Sequence, residues 1–358
     1  MGVHVQNNLT DPGVSLKSLL FAVIFTFISS NLLAKDFEIT VIDSAIDFTH
    51  EYLKKFESKH GVFDVHMNKP LDETKRKLLM FFGEYNHATH VAGIIASYLD
   101  NSKPNLGKIS NAYFIKVGSK VTGDSFPLLE SYLQKTNPRV VNISIAEQYK
   151  FAMTHILKSM ETKPEDTRDF IQSAHKNILK IFNDHMNVQN GHWIELFNRL
   201  PNTLFVIAAG NDGRVLAGAE APNTNLPSTW EEYKKELLAG RLLGFKSLVS
   251  QINLSNTITV GSYTGDELVM AETSNYGKYV VDILADGHEI NSTMPDGKWG
   301  VQSGTSMAAP QISGFAASIL QDNLELSTSE LKREIYLRSY ISSLFSEYVE
   351  NGRYFIKE

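Results

Sequence analysis

Four short stretches of this chain hold side chains able to do chemistry together. Asp43 lies in "VIDSAID", His87 in "NHATHVAGIIA", Asn211 in "AAGNDG" and Ser306 in "SGTSMAAP". Between them, a carboxylate, an imidazole, a carboxamide and a hydroxyl can move protons, donate hydrogen bonds and attack an electrophile. Each also has a plain structural reading: Asp43 as a loop carboxylate, Asn211 as a turn residue ahead of Gly213, Ser306 as a helix cap. Small residues on both sides of Ser306 allow its backbone to be packed closely. Turn residue, cap and nucleophile all stay open for it.

The elements that must position these residues are short apolar runs rich in β-branched residues. They are "FEITVID" (37–43), "NAYFIKV" (111–117), "VVNISI" (140–145), "LFVIAAG" (204–210), "TITVGS" (257–262) and "YVVDIL" (279–284). Near-continuous hydrophobicity predicts strands covered on both faces. Helical spacing appears between them at 89–99 and 126–135, and again at 313–321 and 326–335, where Ser327 and Glu330 have capping-box spacing. The alternation predicts an α/β fold of three layers, a mostly parallel β-sheet with helices on both faces. At least two helical patterns between 147 and 203 read as a helical insertion decorating one domain, residues 35–358. Ligands in such sheets bind beyond the carboxyl ends of the strands. Asp43 and Asn211 fall at such ends, and His87 and Ser306 open helices.

The order Asp, His, Asn, Ser in these contexts resembles the subtilisin-like serine proteases (subtilases, peptidase family S8), over most of residues 36–340. "VIDSAID" is similar to the family's aspartate motif, with Ala45 in place of its glycine. "HATHVAGIIA" is similar to the histidine motif, with Ala88 in place of its glycine. "AAGNDG" and "SGTSMAAPQISG" match the asparagine and serine motifs without departure. "VVNISIA" is similar to the strand lining the primary specificity pocket, and "SNYGKYVVDILADG" to the strand leading to the serine.

The resemblance implies a serine endopeptidase working through an acyl-enzyme. His87 is then the base for Ser306, Asp43 the group that holds the imidazole tautomer, and Asn211 an oxyanion donor beside the Ser306 N–H. A helix opening at Ser306 aims its dipole at the developing charge, with Pro310 expected in a first turn where its missing N–H goes unused. Gly123, Asp124 and Ser125 are expected to offer an edge to an extended peptide. Ser144, Ile145, Ala146, Ala208, Ala209 and Gly210 are expected to wall the primary pocket, whose apolar lining predicts a large apolar residue before the scissile bond. Ala45 and Ala88 each add a methyl, at a cost of about 1 kcal/mol or more where φ is positive. The rival reading is therefore a catalytically dead binding protein on the same scaffold.

His90, three residues after His87, lacks an acidic third ligand in register, so packing and hydrogen bonding are expected of it rather than metal binding. His50, Glu51 and His60 miss the zinc-protease spacing and are expected on the surface of a helix after Asp43, with Asp47 as its cap. No acidic cluster reads as a calcium loop, and no cofactor is expected for catalysis.

With 42% hydrophobic and 21% charged residues, the 358-residue chain has the composition and length to bury a large core. A net charge of −6 without a basic block gives nucleic acid no electrostatic purchase. The absence of cysteine excludes disulfides, thiol catalysis and thiolate metal sites. The apolar run 19–28 is too short for a bilayer span and matches a signal-peptide core. Export to a secreted or periplasmic location is expected, with cleavage after Ala34 and a translation start near Val14. On that expectation only residues 35–42 precede Asp43, too few for a folded pro-segment. Expected partners are polypeptide substrates and a separate inhibitor or chaperone protein.

Overall fold

Strand β1 (Phe37–Asp43) is buried along nearly its whole length, and the other elements are arranged around it. The computed structural model describes residues 35–72, 74–75, 79, 85–103, 105–114, 125–144, 154, 156–158, 166–213, 226–238, 254–265 and 267–357. The proposed signal segment lies outside them. After β1 come a short helix α1 (Glu51–Lys54), β2 (Glu57–Asp64) and β3 (Lys69–Pro70). Helix α2 (Asn86–Ala96) leads to β4 (Gly107–Tyr113), and α3 (Ser125–Thr136) to β5 (Val140–Ile143). Helix α4 (Arg168–Arg199) precedes β6 (Leu204–Ala208), and α5 (Trp230–Leu238) precedes β7 (Thr257–Thr264). Then follow β8 (Val269–Met270), β9 (Ile283–Asp286) and a separate hairpin of β10 (Ile290–Met294) and β11 (Lys298–Gln302). Helices α6 (Thr305–Asp322) and α7 (Thr328–Leu337) and strands β12 (Tyr340–Ile341) and β13 (Arg353–Tyr354) complete the order.

The main sheet runs β12-β13-β9-β7-β6-β5-β1-β4-β2-β3, with β8 beside β7. From β9 to β2 every neighbouring pair is parallel. Among the described residues of this sheet, the antiparallel pairs are β2–β3, β7–β8 and β12–β13. Ile39 of β1 faces Ile109 of β4 on one side and Val140 of β5 on the other. The winding direction reverses there, so Asp43, the last residue of β1, stands at a topological switch point.

Alternate side chains of a strand leave opposite faces, and here both faces are covered. Ile39, Val41 and Val206 pack with Val91 and Ile95 of α2 and Met307 and Ile312 of α6. Ile42, Ile143 and Phe205 pack on the other face with Leu133 of α3 and Trp193 and Phe197 of α4. The amino-terminal part of α4, with Ile171 and Ile178, packs against Tyr233 and Leu237 of α5. The fold is therefore the expected three-layer α/β arrangement.

Two strands differ from expectation. The run predicted at 111–117 is a strand over Gly107–Tyr113, because its first residues already pair with β1 from Phe37 onward. The run 279–284 becomes a strand only at Ile283. Before it, the N–H groups of Val280 and Val281 both donate to the Gly277 carbonyl and hold a turn. Helix α6 starts at Thr305, one residue before the expected opening at Ser306, and the Ser327–Glu330 capping box is present at α7.

Candidate active site

The Asp43 side chain is 2% exposed at the end of β1. The loop after it is shaped by buried Asn111 of β4. Its amide nitrogen donates to the carbonyls of Val41 and Ser44 at 3.0 Å each, and its oxygen accepts the Ile46 N–H at 3.1 Å. His87 is the second residue of α2, and its Nδ1 lies 2.9 Å from both carboxylate oxygens of Asp43. A carboxylate only accepts, so Nδ1 carries the proton and the neutral ring presents a lone pair at Nε2. Burial works against an imidazolium here, but the charge and hydrogen bond of Asp43 outweigh it and raise the His87 pKa.

Helix α2 is fixed by the β10–β11 hairpin. His90 is fully buried, with Nε2 2.9 Å from the Ile290 carbonyl and 3.1 Å from that of Gly300. Burial lowers its pKa, so it serves as a neutral anchor for the hairpin, as expected. Hydroxyls of Ser292 and Thr293 donate to the carbonyls of His90 and Thr89 at 2.8 and 2.7 Å. This approach needs Gly93, where a Cβ would lie 2.2 Å from Thr293 Oγ1.

Asn211 follows β6 on an exposed loop. Its Oδ1 accepts the Thr305 N–H at 2.8 Å and the Thr305 hydroxyl at 3.0 Å, while Thr305 Oγ1 accepts the Gly210 N–H at 3.1 Å. Thr305 thereby staples the loop to the start of α6. Among the described residues no acceptor takes Nδ2, so the amide keeps its donors. Gly304, at φ 140°, is required: a Cβ there would lie 3.1 Å from Asn211 Oδ1 and 3.2 Å from Nδ2.

Ser306 is the second residue of α6, and its hydroxyl donates to the Ser144 carbonyl at 3.0 Å. Among the described residues it makes no hydrogen bond to His87. Ser144 directly follows Ile143, the partner of Ile42, just as Asp43 follows Ile42. Ser144 and Asp43 thus stand roughly one strand spacing, about 4.8 Å, apart. Asp43 and His87 thus meet at the carboxyl end of β1, and Ser306 rests on the residue that follows the neighbouring strand β5.

Other expected site residues fall differently. Gly123, Asp124, Ile145 and Ala146 lie outside the described residues. Ser125 is the first described residue of α3 and is buried, with its Oγ 3.3 Å from His66 Nδ1. The Ser144 side chain faces Ser306, donating to its carbonyl at 3.2 Å, rather than an open pocket. Ala208 and Ala209 are buried in core clusters on opposite faces of the sheet, and Gly210 is tied to Thr305. Pro310 is not in the first turn but inside α6.

His50 is buried rather than on the surface. Its Nδ1 accepts the Tyr52 N–H, its Nε2 is 3.1 Å from the Lys298 carbonyl, and its ring meets the edge of Trp299. It, and not Asp47, caps α1. Asp47 instead accepts the N–H groups of Thr49 and Asp296 at 3.0 and 3.1 Å. His60 lies in β2, not on a helix. Neither Ala45 nor Ala88 has a positive φ, so the added methyls bring no backbone strain. Among the described residues no group of three or more acidic or histidine side chains is arranged to hold a metal ion. Nor is any helix there long and apolar enough to cross a membrane.

Similarity to known proteins bears on the same features. The model of the subtilase family (Peptidase_S8) matches residues 34–344. The chain is 25% identical over 268 residues to one subunit of the subtilase cytotoxin of Escherichia coli, covering 68% of this chain and 74% of that protein. It is 25% identical over 323 residues to a thermophilic serine proteinase of Bacillus sp. (strain AK1), covering 89% of this chain and 58% of the relative. A third relative is the epidermin leader peptide-processing serine protease of Staphylococcus epidermidis, 25% identical over 332 residues, with 83% and 61% covered. The chain thus spans about three fifths of the length of the latter two. Among solved structures, a cold-adapted subtilisin-like serine proteinase aligns with a TM-score of 0.55 at 19% identity, covering 90% of this chain and 89% of the other. A lanthipeptide protease aligns with a TM-score of 0.56 at 16% identity, covering 92% and 90%. Both share the fold.

Proposed function

The chain belongs to the subtilase family of serine proteases, and on that premise we propose that it is an endopeptidase whose nucleophile is Ser306. His87 Nε2 takes the hydroxyl proton as Oγ attacks the scissile carbonyl, and Asp43 stabilises the resulting imidazolium. The oxyanion accepts hydrogen bonds from Asn211 Nδ2 and the Ser306 N–H at the start of α6. Collapse breaks the C–N bond, His87 returns the proton to the leaving amine, and an ester on Ser306 remains. Water, deprotonated by His87, then hydrolyses that ester.

The observation that carries this reading is the Asp43–His87 contact, held one strand away from the carbonyl on which Ser306 rests. Reaction requires the hydroxyl to leave Ser144 by rotation about its Cα–Cβ bond and turn to the imidazole. Asn211 supports the same reading, because its oxygen is occupied by Thr305 while, among the described residues, its N–H groups keep no acceptor. Substrates are polypeptides, met after export, and no cofactor takes part.

The test is reaction with a fluorophosphonate probe. The wild-type chain is expected to label at Ser306 and the Ser306→Ala chain not to label. Failure of both to label would support the dead scaffold instead.

A further inference from the structure

We infer that the Ser144 side chain is a positioning residue for Ser306, acting on its carbonyl in place of the helical hydrogen bond that Pro310 removes. The inference rests on Ser306 being the nucleophile. In an α-helix the carbonyl of residue 306 accepts the N–H of residue 310, and proline has none. A carbonyl so released inside a protein needs another donor. Here the donor is Ser144 Oγ, at 3.2 Å.

A hydroxyl has one proton, and its direction is set by what its lone pairs accept. Asn142 Nδ2 donates to Ser144 Oγ at 2.9 Å, so the Ser144 proton is left for the Ser306 carbonyl. Asn142 is oriented in turn, because its Oδ1 accepts the Ser313 hydroxyl at 2.8 Å. Ser313 lies on α6 beyond Pro310, so the chain of hydrogen bonds leaves the helix, crosses β5 and returns to Ser306. Asn142 and Ser313 are fully buried and Ser144 is 3% exposed, so water does not substitute for these partners.

Ser306 and Ser144 therefore exchange hydrogen bonds, carbonyl for hydroxyl in both directions. The two bonds do different things. The Ser306 hydroxyl must break its bond to the Ser144 carbonyl in order to react. The Ser144 hydroxyl can keep its bond throughout, holding the Ser306 backbone still while the nucleophilic side chain turns. A fixed backbone with one moving torsion reduces the search for an attack geometry, an effect that falls on kcat rather than on KM.

The experiment is a double-mutant cycle on the full chain. Ser144→Ala is expected to lower kcat and the fluorophosphonate labelling rate about tenfold, with KM changed less than about twofold. The acid limb of the pH profile should not move, since it belongs to His87 and Asp43. Pro310→Ala gives the helix back an N–H for the Ser306 carbonyl, so Ser144→Ala in that background should cost less than about threefold. An equal loss in both backgrounds, or no loss in either, overturns the inference. Should Ser144→Ala fail to fold, Ser313→Ala is measured in the same two backgrounds under the same criterion. A wild-type chain that does not label at Ser306 overturns the protease reading, and this inference with it.

Discussion

The carboxamide oxygen of Asn211 accepts both the backbone N–H and the hydroxyl of Thr305, at 2.8 and 3.0 Å. One side chain thus caps the approach to α6 with its oxygen and keeps its nitrogen for another partner. Asn211→Asp separates these duties. The carboxylate still accepts from Thr305 but cannot donate, and it sets a negative charge where negative charge develops. By analogy with loss of the corresponding donor in subtilisin, kcat should fall about 100- to 1000-fold. The melting temperature should stay near that of the wild type, whereas Asn211→Ala should lose both activity and about 1 kcal/mol of stability. Steady-state kinetics and calorimetry on the three chains check this.

Activity should fall in acid with a midpoint above the ordinary imidazole value. The base must be neutral, and burial, which opposes its protonation, is outweighed by Asp43, so the folded pKa is raised. The same shift stabilises the fold below the unfolded imidazole pKa, and that contribution is lost as pH rises through the raised value. Asp43→Asn removes the charge that raises it. The acid limb of kcat/KM should move to lower pH while the plateau falls about 10,000-fold, as for the analogous change in a Ser-His-Asp triad.

Gly304→Ala should damage activity more than folding. Its φ of 140° suits glycine, and the new Cβ would press on both amide atoms of Asn211. Gly93→Ala should do the reverse, since its Cβ would overlap Ser292 and Thr293 at the hairpin contact, far along α2 from His87. A loss of about 1–3 kcal/mol is expected there. Denaturant unfolding and kcat/KM, measured on both variants, distinguish the two patterns.

Glu38, in β1, carries a carboxyl whose pKa is raised by burial, against the lowering effect of the Ser58 and Ser110 hydroxyls. A raised folded pKa means stability present below the unfolded carboxyl value and lost as pH rises through the folded one. Glu38→Gln should therefore raise the melting temperature at pH 8 and leave it nearly unchanged at pH 4. Thermal melts at the two values are the check.

The sheet was readable in the chain because strands covered on both faces leave continuous apolar runs, as at 37–43 and 204–208. The placement of Asp43 and Asn211 at strand ends and of His87 and Ser306 at helix starts was readable too, because polar types there interrupt the apolar runs. What stayed hidden were buried polar residues whose partners are remote in sequence. Asn111 shapes the Asp43 loop from 65–70 residues away, and Ser313 meets Asn142 across 171. No local pattern marks such pairs. Thr305 looked like part of a small-residue surround, yet it ties Asn211 to α6. His50 looked like a surface residue because the hairpin that buries it arrives 248 residues later.

The position of β1 between β4 and β5 also bears on how the molecule comes into being. Ile39 must wait for Ile109 and Val140 before its strand is flanked, and these are distant contacts of the kind that slow folding. As the polypeptide emerges from the ribosome, the acid and the imidazole come first, and β5, β6, β7 and β9 all follow before the hydroxyl. Cutting ability would then arise only in molecules that already carry the strands from β9 to β2, a delay written into the order of the strands.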